Sequence, residues 1–325
     1  MLLGMSQANP LPAQDEAGVV HVGDAWDLLG ELDPETVDLI LTSPPYWGLR
    51  DYGLDHNENV LADWLKQGGE AAVAPPYEWY RDHGGLLGLE PLPHWYVTHL
   101  VEIFQRARPA LKTSGSIWVN LGDTYFGRWS SIRPTGRQGF AGETRSRRRV
   151  PSGGYLQDKQ LLLIPARFAI AMQEDRWILR NDLIWAKPET MPRPGRDRLR
   201  LSHEHFFHFA PRPRRGRVTY YYDPAVAEPG GRDVVFVRPV SGSDGHSAAF
   251  PPALIAPRIE SSCPKGGLVL DPFSGIGRTL TAAVRSGRRA IGFELSPVFG
   301  AIAKVNLSRA IAGEASQRPG PGRTS

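Results

Sequence analysis

An apolar run early in the chain ends at two consecutive prolines. Residues 37–41 are typical of a buried strand, and Pro44 and Pro45 terminate it because each has a fixed φ and no backbone N–H. The carbonyls at this turn are therefore held rigidly without local donors. Ser43 adds a hydroxyl, and Tyr46 adds a flat aromatic face. A rigid pocket with hydrogen-bond acceptors and a stacking face suits an extruded base that carries an exocyclic amine.

Two further strand-like segments end in polar residues. Residues 19–22 run into Gly23 and Asp24, a short helical segment follows, and residues 116–119 run into Asn120-Leu121-Gly122-Asp123. Alternation of strand and helix predicts a parallel sheet whose loops gather at its carboxyl edge. Asp24 should then lie at the strand tip next to that of Ser43, although an acid here is also a common helix N-cap.

The last third of the chain has a glycine turn between a strand and a helix. Residues 267–270 are apolar, Asp271-Pro272-Phe273 follows, and Gly275 and Gly277 allow a ligand to approach the backbone closely. About 20 residues later the next strand ends at Glu294, a position suited to bonding both hydroxyls of a ribose.

These segments carry a family resemblance. Residues 41–46 resemble the catalytic motif of amino-methylating DNA methyltransferases, and the Thr-Ser-Pro-Pro-Tyr version resembles the cytosine-N4 branch. Adenine-N6 enzymes more often carry Asp at the position of Ser43. The segment from Asp271 resembles the S-adenosylmethionine loop of the same enzymes. Because the catalytic strand precedes that loop, the order resembles the permuted, β-type class.

The resemblance implies an architecture. We expect an α/β, Rossmann-like class I methyltransferase fold with a mostly parallel seven-stranded sheet, helices on both faces and one late antiparallel strand. Residues 1–18 are expected to be a flexible leader, 19–312 the methyltransferase domain and 313–325 a disordered tail. Three loop insertions, 53–93, 124–158 and 189–245, are expected to bind DNA and recognise the target, and the first is expected to be irregular and to fold over the pocket.

The resemblance also implies site residues. Catalysis is assigned to Ser43, Pro44, Pro45 and Tyr46. S-adenosylmethionine is expected to bind at Asp24, Thr42, Asp271, Pro272, Phe273, Ser274, Gly275, Gly277, Thr279, Glu294 and Ser296. DNA is expected to contact Trp47, Arg145, Arg147, Arg148, Arg149, Lys187, Arg196 and Arg198.

The arginine-rich segment 125–156 contains few apolar residues, so it is predicted to be disordered in the free protein. One interpretation is a flexible arm that neutralises DNA phosphates and orders on binding. The other is an ordinary solvated surface loop.

The predicted activity is methylation of the N4 amine of a flipped-out cytosine in duplex DNA. Adenine N6 or a protein amide are alternative targets on the same fold. A DNA-binding relative without catalysis is a third alternative, since Arg278 stands where the family usually has a small hydroxyl residue. Ring-carbon methylation is disfavoured because the single Cys263 lacks the context of a catalytic nucleophile.

Composition excludes several other classes. The 325 residues carry a net charge of +4 and one cysteine, which excludes a disulfide framework and a cysteine-rich zinc site. His203-Glu204-His205 resembles part of a zinc deaminase site, but the chain lacks the second cysteine that such a site requires, so no metal is expected. Without a long apolar run or a secretory signal, the protein is expected to be cytoplasmic with no membrane contact. Double-stranded DNA is the expected partner, and a homodimer and a cognate restriction endonuclease are left open.

Overall fold

The structure is a computed structural model that describes residues 16–48, 53–127, 129–132, 146–149, 153–188, 197–227, 231–239 and 251–313. For 129–132 and 146–149 it describes the backbone alone. Eight helices lie in this part of the chain: α1 Ala25–Gly30, α2 Val60–Lys66, α3 Tyr77–Asp82, α4 Pro93–Ala107, α5 Ile164–Glu174, α6 Pro252–Ser262, α7 Arg278–Arg285 and α8 Pro297–Ile311. The ten strands are β1 Gly18–Val22, β2 Val37–Thr42, β3 Leu111–Leu121, β4 Trp129–Ile132, β5 Ser146–Arg149, β6 Trp177–Ala186, β7 His203–Pro211, β8 Val234–Phe236, β9 Leu268–Asp271 and β10 Arg289–Glu294.

The main sheet has the strand order β1-β10-β9-β2-β3-β7-β6-β8. Within it, only β7 runs antiparallel to its neighbours. In the described residues the main sheet therefore has eight strands and not the predicted seven. The short strand β8 lies at the outer edge of β6, where the N–H of Ile184 donates to the carbonyl of Asp233 at 2.7 Å, so it covers an edge that would otherwise be open.

The central strand β2 is buried along its whole length. Because side chains alternate across a strand, Ile40 packs into one core and Leu39 and Leu41 into the other. Helices α4 and α5 cover the first core, and α6, α7 and α8 cover the second. Such a continuous apolar run is typical of a parallel strand with helices on both faces.

The chain crosses between the two halves of the sheet at β2 and β9. From β2 it proceeds to β3 on one side, and from β9 to β10 on the other, although β2 and β9 are paired directly. Ligands of open parallel sheets bind at the carboxyl ends of strands at such a switch point. Ser43 and Pro272 follow these two strand ends.

Two predictions of irregular structure were wrong in part. Segment 53–93 contains α2 and α3, because its aromatic residues provide a core: Tyr80 is 1% exposed and Trp64 and Trp79 lie edge to face. Within the arginine-rich segment predicted to be disordered, β4 and β5 pair in antiparallel register.

Strand β1 also begins at Gly18, the last residue of the predicted leader. No helix in the described ranges combines the length and hydropathy needed to cross a bilayer.

Candidate active site

A pocket of about 680 Å³, partly open to solvent, lies at the switch point. Its wall is built from the ends of β2, β9 and β10, the start of α1 and segment 53–93. The lining residues are Gly23, Asp24, Ala25, Ser43, Pro45, Leu54, Tyr77, Leu86, Leu87, Pro272, Phe273, Gly275, Glu294, Leu295 and Phe299. The rigid tip after β2 and the glycine turn after β9 therefore face one cavity.

Glu294, the last residue of β10, anchors two loops of this wall. Its Oε2 accepts the N–H of Gly275 at 2.8 Å, and its Oε1 accepts the N–H of Ser296 at 2.8 Å. Burial raises the pKa of Glu294 from 4.5 to about 7, and the backbone donors oppose that shift. The carboxyl group is thus held rigidly at the pocket surface.

Asp24 forms a second acidic point of the pocket. Its Oδ1 caps α1 by accepting the N–H of Trp26 at 2.8 Å, and Tyr77 donates to Oδ2 at 3.4 Å. Burial raises the pKa of Asp24. The capping role and the pocket role coexist, so the two interpretations of this residue from the sequence do not compete.

Asp271 lies behind the pocket wall. It is 3% exposed, and its Oδ1 accepts the hydroxyl of Thr42 at 2.6 Å and the N–H of Phe273 at 3.1 Å. Thr279 also bonds to this carboxyl, and burial raises the pKa of Asp271 to about 6. The structure therefore places Asp271, Thr42 and Thr279 as a buried link between β2, β9 and α7.

The other predicted cofactor residues likewise fall into two groups, those that line the pocket and those that lie behind its wall. Pro272, Phe273 and Gly275 line the pocket. Ser274 is buried away from it, and Ser296 caps α8 by accepting the N–H of Phe299 at 3.5 Å.

Gly277 precedes α7 with φ +79°, and a Cβ there would meet Ala303 at 3.2 Å. That conformation and that close packing both favour glycine. Gly277, like Ser274 and Ser296, supports the wall of the pocket.

The rigid tip after β2 presents Ser43 and Pro45 to the pocket. Ser43 donates a long 3.5 Å hydrogen bond to the Tyr46 hydroxyl. That hydroxyl lies 2.9 Å from Asn120 Oδ1 and 2.8 Å from Glu204 Oε2. Burial, together with the charge of Glu204, raises the pKa of Tyr46 well above 10, so the phenol is neutral.

Segment 53–93 and helix α4 pack against the rigid tip after β2. Tyr96 donates to the carbonyl of Pro45 at 2.7 Å, and the N–H of Gly88 donates to Glu90 Oε2 at 2.8 Å. Gly88 has φ +89°, and a Cβ there would lie 3.2 Å from Pro45 Cβ, which excludes larger residues. The fully buried His99 bonds Glu90 Oε1 at 3.1 Å.

Trp47 was predicted to contact DNA, and this prediction is wrong. The side chain is 6% exposed and packs in the first core, and its indole N–H donates to the carbonyl of Glu90 at 2.9 Å. A ring enclosed in this way offers no face to a base. The indole instead anchors the turn that carries Tyr46.

The predicted basic DNA contacts are partly described. Lys187 pairs with Glu204, and its ammonium lies 4.4 Å from the centre of the Trp185 ring, so its charge is compensated within the protein. Arg198 lies 3.5 Å above the Tyr125 ring. The backbone of β5 carries three predicted contacts without described side chains, Arg147, Arg148 and Arg149, and two more lie outside the described residues, Arg145 and Arg196.

The pocket chemistry fits S-adenosylmethionine. The described lining combines two carboxyl groups, Asp24 and Glu294, with the apolar side chains of Phe273, Leu295 and Phe299, and includes no lysine or arginine. A cationic nucleoside without phosphate matches this set, whereas a dinucleotide would leave its phosphates unpaired. When bound, this donor supplies an electrophilic methyl group.

Sequence reasoning missed several wall residues. Tyr77, Leu86 and Leu87 belong to segment 53–93, which has no regular pattern that could have indicated them. Phe299 lies in the first turn of α8, close behind Glu294, and that position could have indicated it. Glu204 belongs to a run that is expected to be a strand with polar residues and without a metal, and nothing in that run indicates its contact with Tyr46.

Comparison with known proteins places the chain in a family. A family model described as DNA methylase, covering N6 and N4 methyltransferases, matches residues 37–305. The type II methyltransferase M.SmaI of Serratia marcescens is 33% identical over 301 residues, which cover 89% of this chain and 90% of the relative. This chain belongs to the DNA methylase family. The predicted family resemblance and methyl transfer from S-adenosylmethionine are thereby confirmed.

Solved structures confirm the fold of this methylase. A protein titled PvuII DNA methyltransferase (cytosine-N4-specific) superposes with a TM-score of 0.60 at 18% identity, covering 92% of this chain and 94% of that one. A Thermus thermophilus protein solved in complex with S-adenosyl-L-methionine gives a TM-score of 0.54 at 21% identity, covering 90% of this chain and 96% of that one. The Rossmann-like class I methyltransferase architecture is therefore confirmed.

Proposed function

We propose that this methylase transfers a methyl group to the N4 amine of a cytosine that is flipped out of duplex DNA. The observation that carries the proposal is the shared pocket. Ser43 and Pro45 line the same cavity as Asp24 and Glu294. An amine held at the tip after β2 thus faces the site of the methyl donor.

The chain's own groups activate the amine by accepting hydrogen bonds from it. The lone pair of an exocyclic amine is delocalised into the ring, so the nitrogen becomes nucleophilic only as it pyramidalises. The Ser43 hydroxyl and the Pro44 carbonyl accept hydrogen bonds from the two N–H groups and so favour that geometry, and one proton leaves the nitrogen once the methyl group has been transferred. Ser43 donates its own proton to Tyr46, which leaves its oxygen lone pairs for the substrate.

Catalysis rests on positioning and fixed dipoles. Both prolines and the hydrogen bond from Tyr96 hold the acceptors still, so little reorganisation is needed as charge develops. The ring of Tyr46 is half-buried and directly follows Pro45 of the pocket wall, and it provides the stacking face for the extruded base.

Adenine N6 is the second candidate target. Both amines can occupy a pocket of this geometry, and the family includes N6 and N4 enzymes. Ser43 favours cytosine, because adenine-N6 enzymes more often carry a carboxylate there. The similarity of the fold to a cytosine-N4-specific enzyme is in keeping with that choice.

The basic segments provide the expected DNA contacts. We infer that loops 124–158 and 189–245 face the duplex, with Arg145, Arg147, Arg148, Arg149, Arg196 and Arg198 near phosphates. Segment 53–93 instead contributes Leu54, Tyr77, Leu86 and Leu87 to the pocket, which supports a role in closing the site around the methyl donor and the base.

Mass spectrometry of nucleosides tests the target base. DNA from cells that express the methylase is digested to nucleosides, with DNA from cells expressing Ser43→Ala as the control. We expect N4-methylcytosine with the wild type and a strongly reduced amount with the variant. N6-methyladenine would refute the assignment of the base and leave methyl transfer intact, whereas 5-methylcytosine would contradict the mechanism.

A further inference from the structure

Four strand ends converge on the hydroxyl of Tyr46. Tyr46 follows β2, Asn120 lies at the end of β3, Glu204 at the start of β7, and Lys187 directly after β6. Registers bring the last two together, since Ala186 of β6 pairs with His203 of β7. The sheet therefore assembles a polar network directly beside the proposed base site.

The network contains one phenolic proton between two acceptors. Asn120 donates its amide N–H to the carbonyl of His205 at 3.0 Å, which turns Oδ1 toward Tyr46 at 2.9 Å. Glu204 Oε2 lies on the same hydroxyl at 2.8 Å. A phenol has one proton to donate, and an ionised carboxylate is a stronger acceptor than an amide. Tyr46 therefore donates to Glu204.

Lys187 forms an ion pair with Glu204. Its ammonium donates to Oε1, the oxygen that Tyr46 leaves free, and the two side chains are 20% and 15% exposed. A half-buried ion pair of this kind is screened less than a surface pair. Each oxygen of Glu204 thus has its own partner.

The ring of Tyr46 is also confined sideways. A Cβ added at Gly122 would lie 2.8 Å from Tyr46 Cε2 and 3.3 Å from Glu204 Cγ, so no larger side chain fits between the two residues. The tyrosine is held by its hydroxyl at one end and by its backbone between Pro45 and Trp47 at the other.

We propose that Glu204 is a positioning residue that fixes the plane of the Tyr46 ring before DNA arrives, and that Lys187 acts through Glu204. The proposal rests on the proposed function, in which this ring stacks on the extruded base. A ring that is already oriented loses little conformational freedom on stacking, which favours the flipped-out state. Glu204 contacts the hydroxyl at the end of the ring and acts on the base only through Tyr46.

A double-mutant cycle tests this chain of contacts. Glu204→Ala and Tyr46→Phe are each expected to lower kcat by roughly tenfold to a hundredfold, the size associated with a lost hydrogen bond to a charged group. The affinities for S-adenosylmethionine and for DNA should stay within about twofold. The double variant should be no slower than Tyr46→Phe alone, because that substitution already removes the bond to Glu204 together with the contacts to Ser43 and Asn120. Glu204→Gln, which keeps an acceptor, should recover most of the rate.

Lys66→Met serves as the matched control, because Lys66 pairs with Asp63 on the exposed surface away from the pocket. Lys187→Met should slow turnover, and the control should not. Multiplicative losses in the double variant, an unchanged kcat in Glu204→Ala, or a parallel loss of affinity for S-adenosylmethionine in all Glu204 variants would each overturn the proposal.

A readout without DNA separates this proposal from the proposed function. In protein labelled with ¹³Cζ-tyrosine, the Tyr46 resonance is identified by its loss in Tyr46→Phe. We expect it to shift in Glu204→Ala and to stay in place in Lys66→Met. If the resonance shifts but the wild type methylates no DNA, the proposed function is refuted and the positioning role of Glu204 is not. If the resonance does not move, the hydrogen bond between Tyr46 and Glu204 is refuted.

Discussion

The hydroxyl of Thr42, at the end of β2, donates a 2.6 Å hydrogen bond to the buried carboxyl group of Asp271, at the end of β9. These residues lie 229 positions apart, and the bond joins the strand that carries the rigid tip to the strand that carries the glycine turn. It fixes the distance between the two walls of the pocket. Thr42 and Asp271 thus hold the two sides of the pocket together.

Removal of this bond should weaken both the fold and the site. Thr42→Val has nearly the same shape but leaves Asp271, 3% exposed, without one donor, at a cost of about 1–3 kcal/mol in the free energy of unfolding. Denaturant unfolding and calorimetry with S-adenosylmethionine measure the two effects. Thr42→Ser keeps the hydroxyl and is the control; equal losses in both variants would contradict the assignment.

Glu294 should make stability depend on pH. Its pKa is about 7 in the folded protein against 4.5 for the free side chain. The folded state therefore holds a proton that the unfolded state releases, and stability that is complete below pH 4.5 is lost as the pH rises to about 7. Glu294→Gln carries no charge at any pH. We expect its stability relative to the wild type to rise across this window by up to about 3 kcal/mol.

Thermal unfolding of the two proteins without the methyl donor, at a series of pH values, gives the difference directly. A constant difference from pH 4.5 to 7 would show that burial does not shift this carboxyl group. Calorimetry on the same variant is expected to show weaker binding of S-adenosylmethionine, since a carboxylate accepts from both ribose hydroxyls and an amide does so less well.

The two adjacent aromatic residues after the prolines should differ in their effects. Trp47→Phe leaves the carbonyl of Glu90 without its indole donor, so we expect a loss of about 1–3 kcal/mol in stability and little change in kcat. Tyr46→Ala should lower turnover by an amount equivalent to about 1–3 kcal/mol of base stacking, with affinity for the methyl donor retained. Unfolding curves and steady-state rates for both variants separate a structural indole from a stacking ring.

The arginine cluster should act on DNA without regard to sequence. Replacing Arg145, Arg147, Arg148 and Arg149 with glutamine should weaken binding to all duplexes alike. The slope of log affinity against log salt should flatten by about one unit for each phosphate that the variant no longer neutralises. Fluorescence anisotropy with a target and a scrambled duplex measures both. An unchanged slope would favour the solvated-loop interpretation.

The sequence predicted those elements whose conformation is determined by residues close together in the chain. The apolar run of β2, the two prolines after it and the glycine turn after β9 each have a pattern that demands one structure, and all three lie where we expected them. The pairing of β2 with β9 was not predicted: we expected the strands that end at Asp24 and Ser43 to be neighbours, whereas β10 and β9 lie between them. Asp24 and Glu294 nevertheless lie in the wall of the pocket.

The parts that the sequence did not predict depend on distant contacts. Nothing near Trp47 indicates that its ring is buried, because its partner Glu90 comes from a segment without a regular pattern. The sequence around Lys187 does not indicate that it pairs with Glu204. The register of β6 and β7 places Glu204 beside it in the structure. Tyr77 reaches Asp24 only because α3 packs on α4, across 53 residues of chain.

The position of β9 and β10 in the sheet has a consequence during synthesis on the ribosome. Strand β1 pairs only with β10 among the described strands, and β2 has β9 as one of its two neighbours, so both wait for residues 268–294. Until those residues emerge, the first strands made have open edges, a state prone to wrong pairing and to capture by chaperones. Chains that end before these residues lack Phe273, Gly275 and Glu294 of the pocket wall, so we expect that only nearly complete molecules bind the methyl donor.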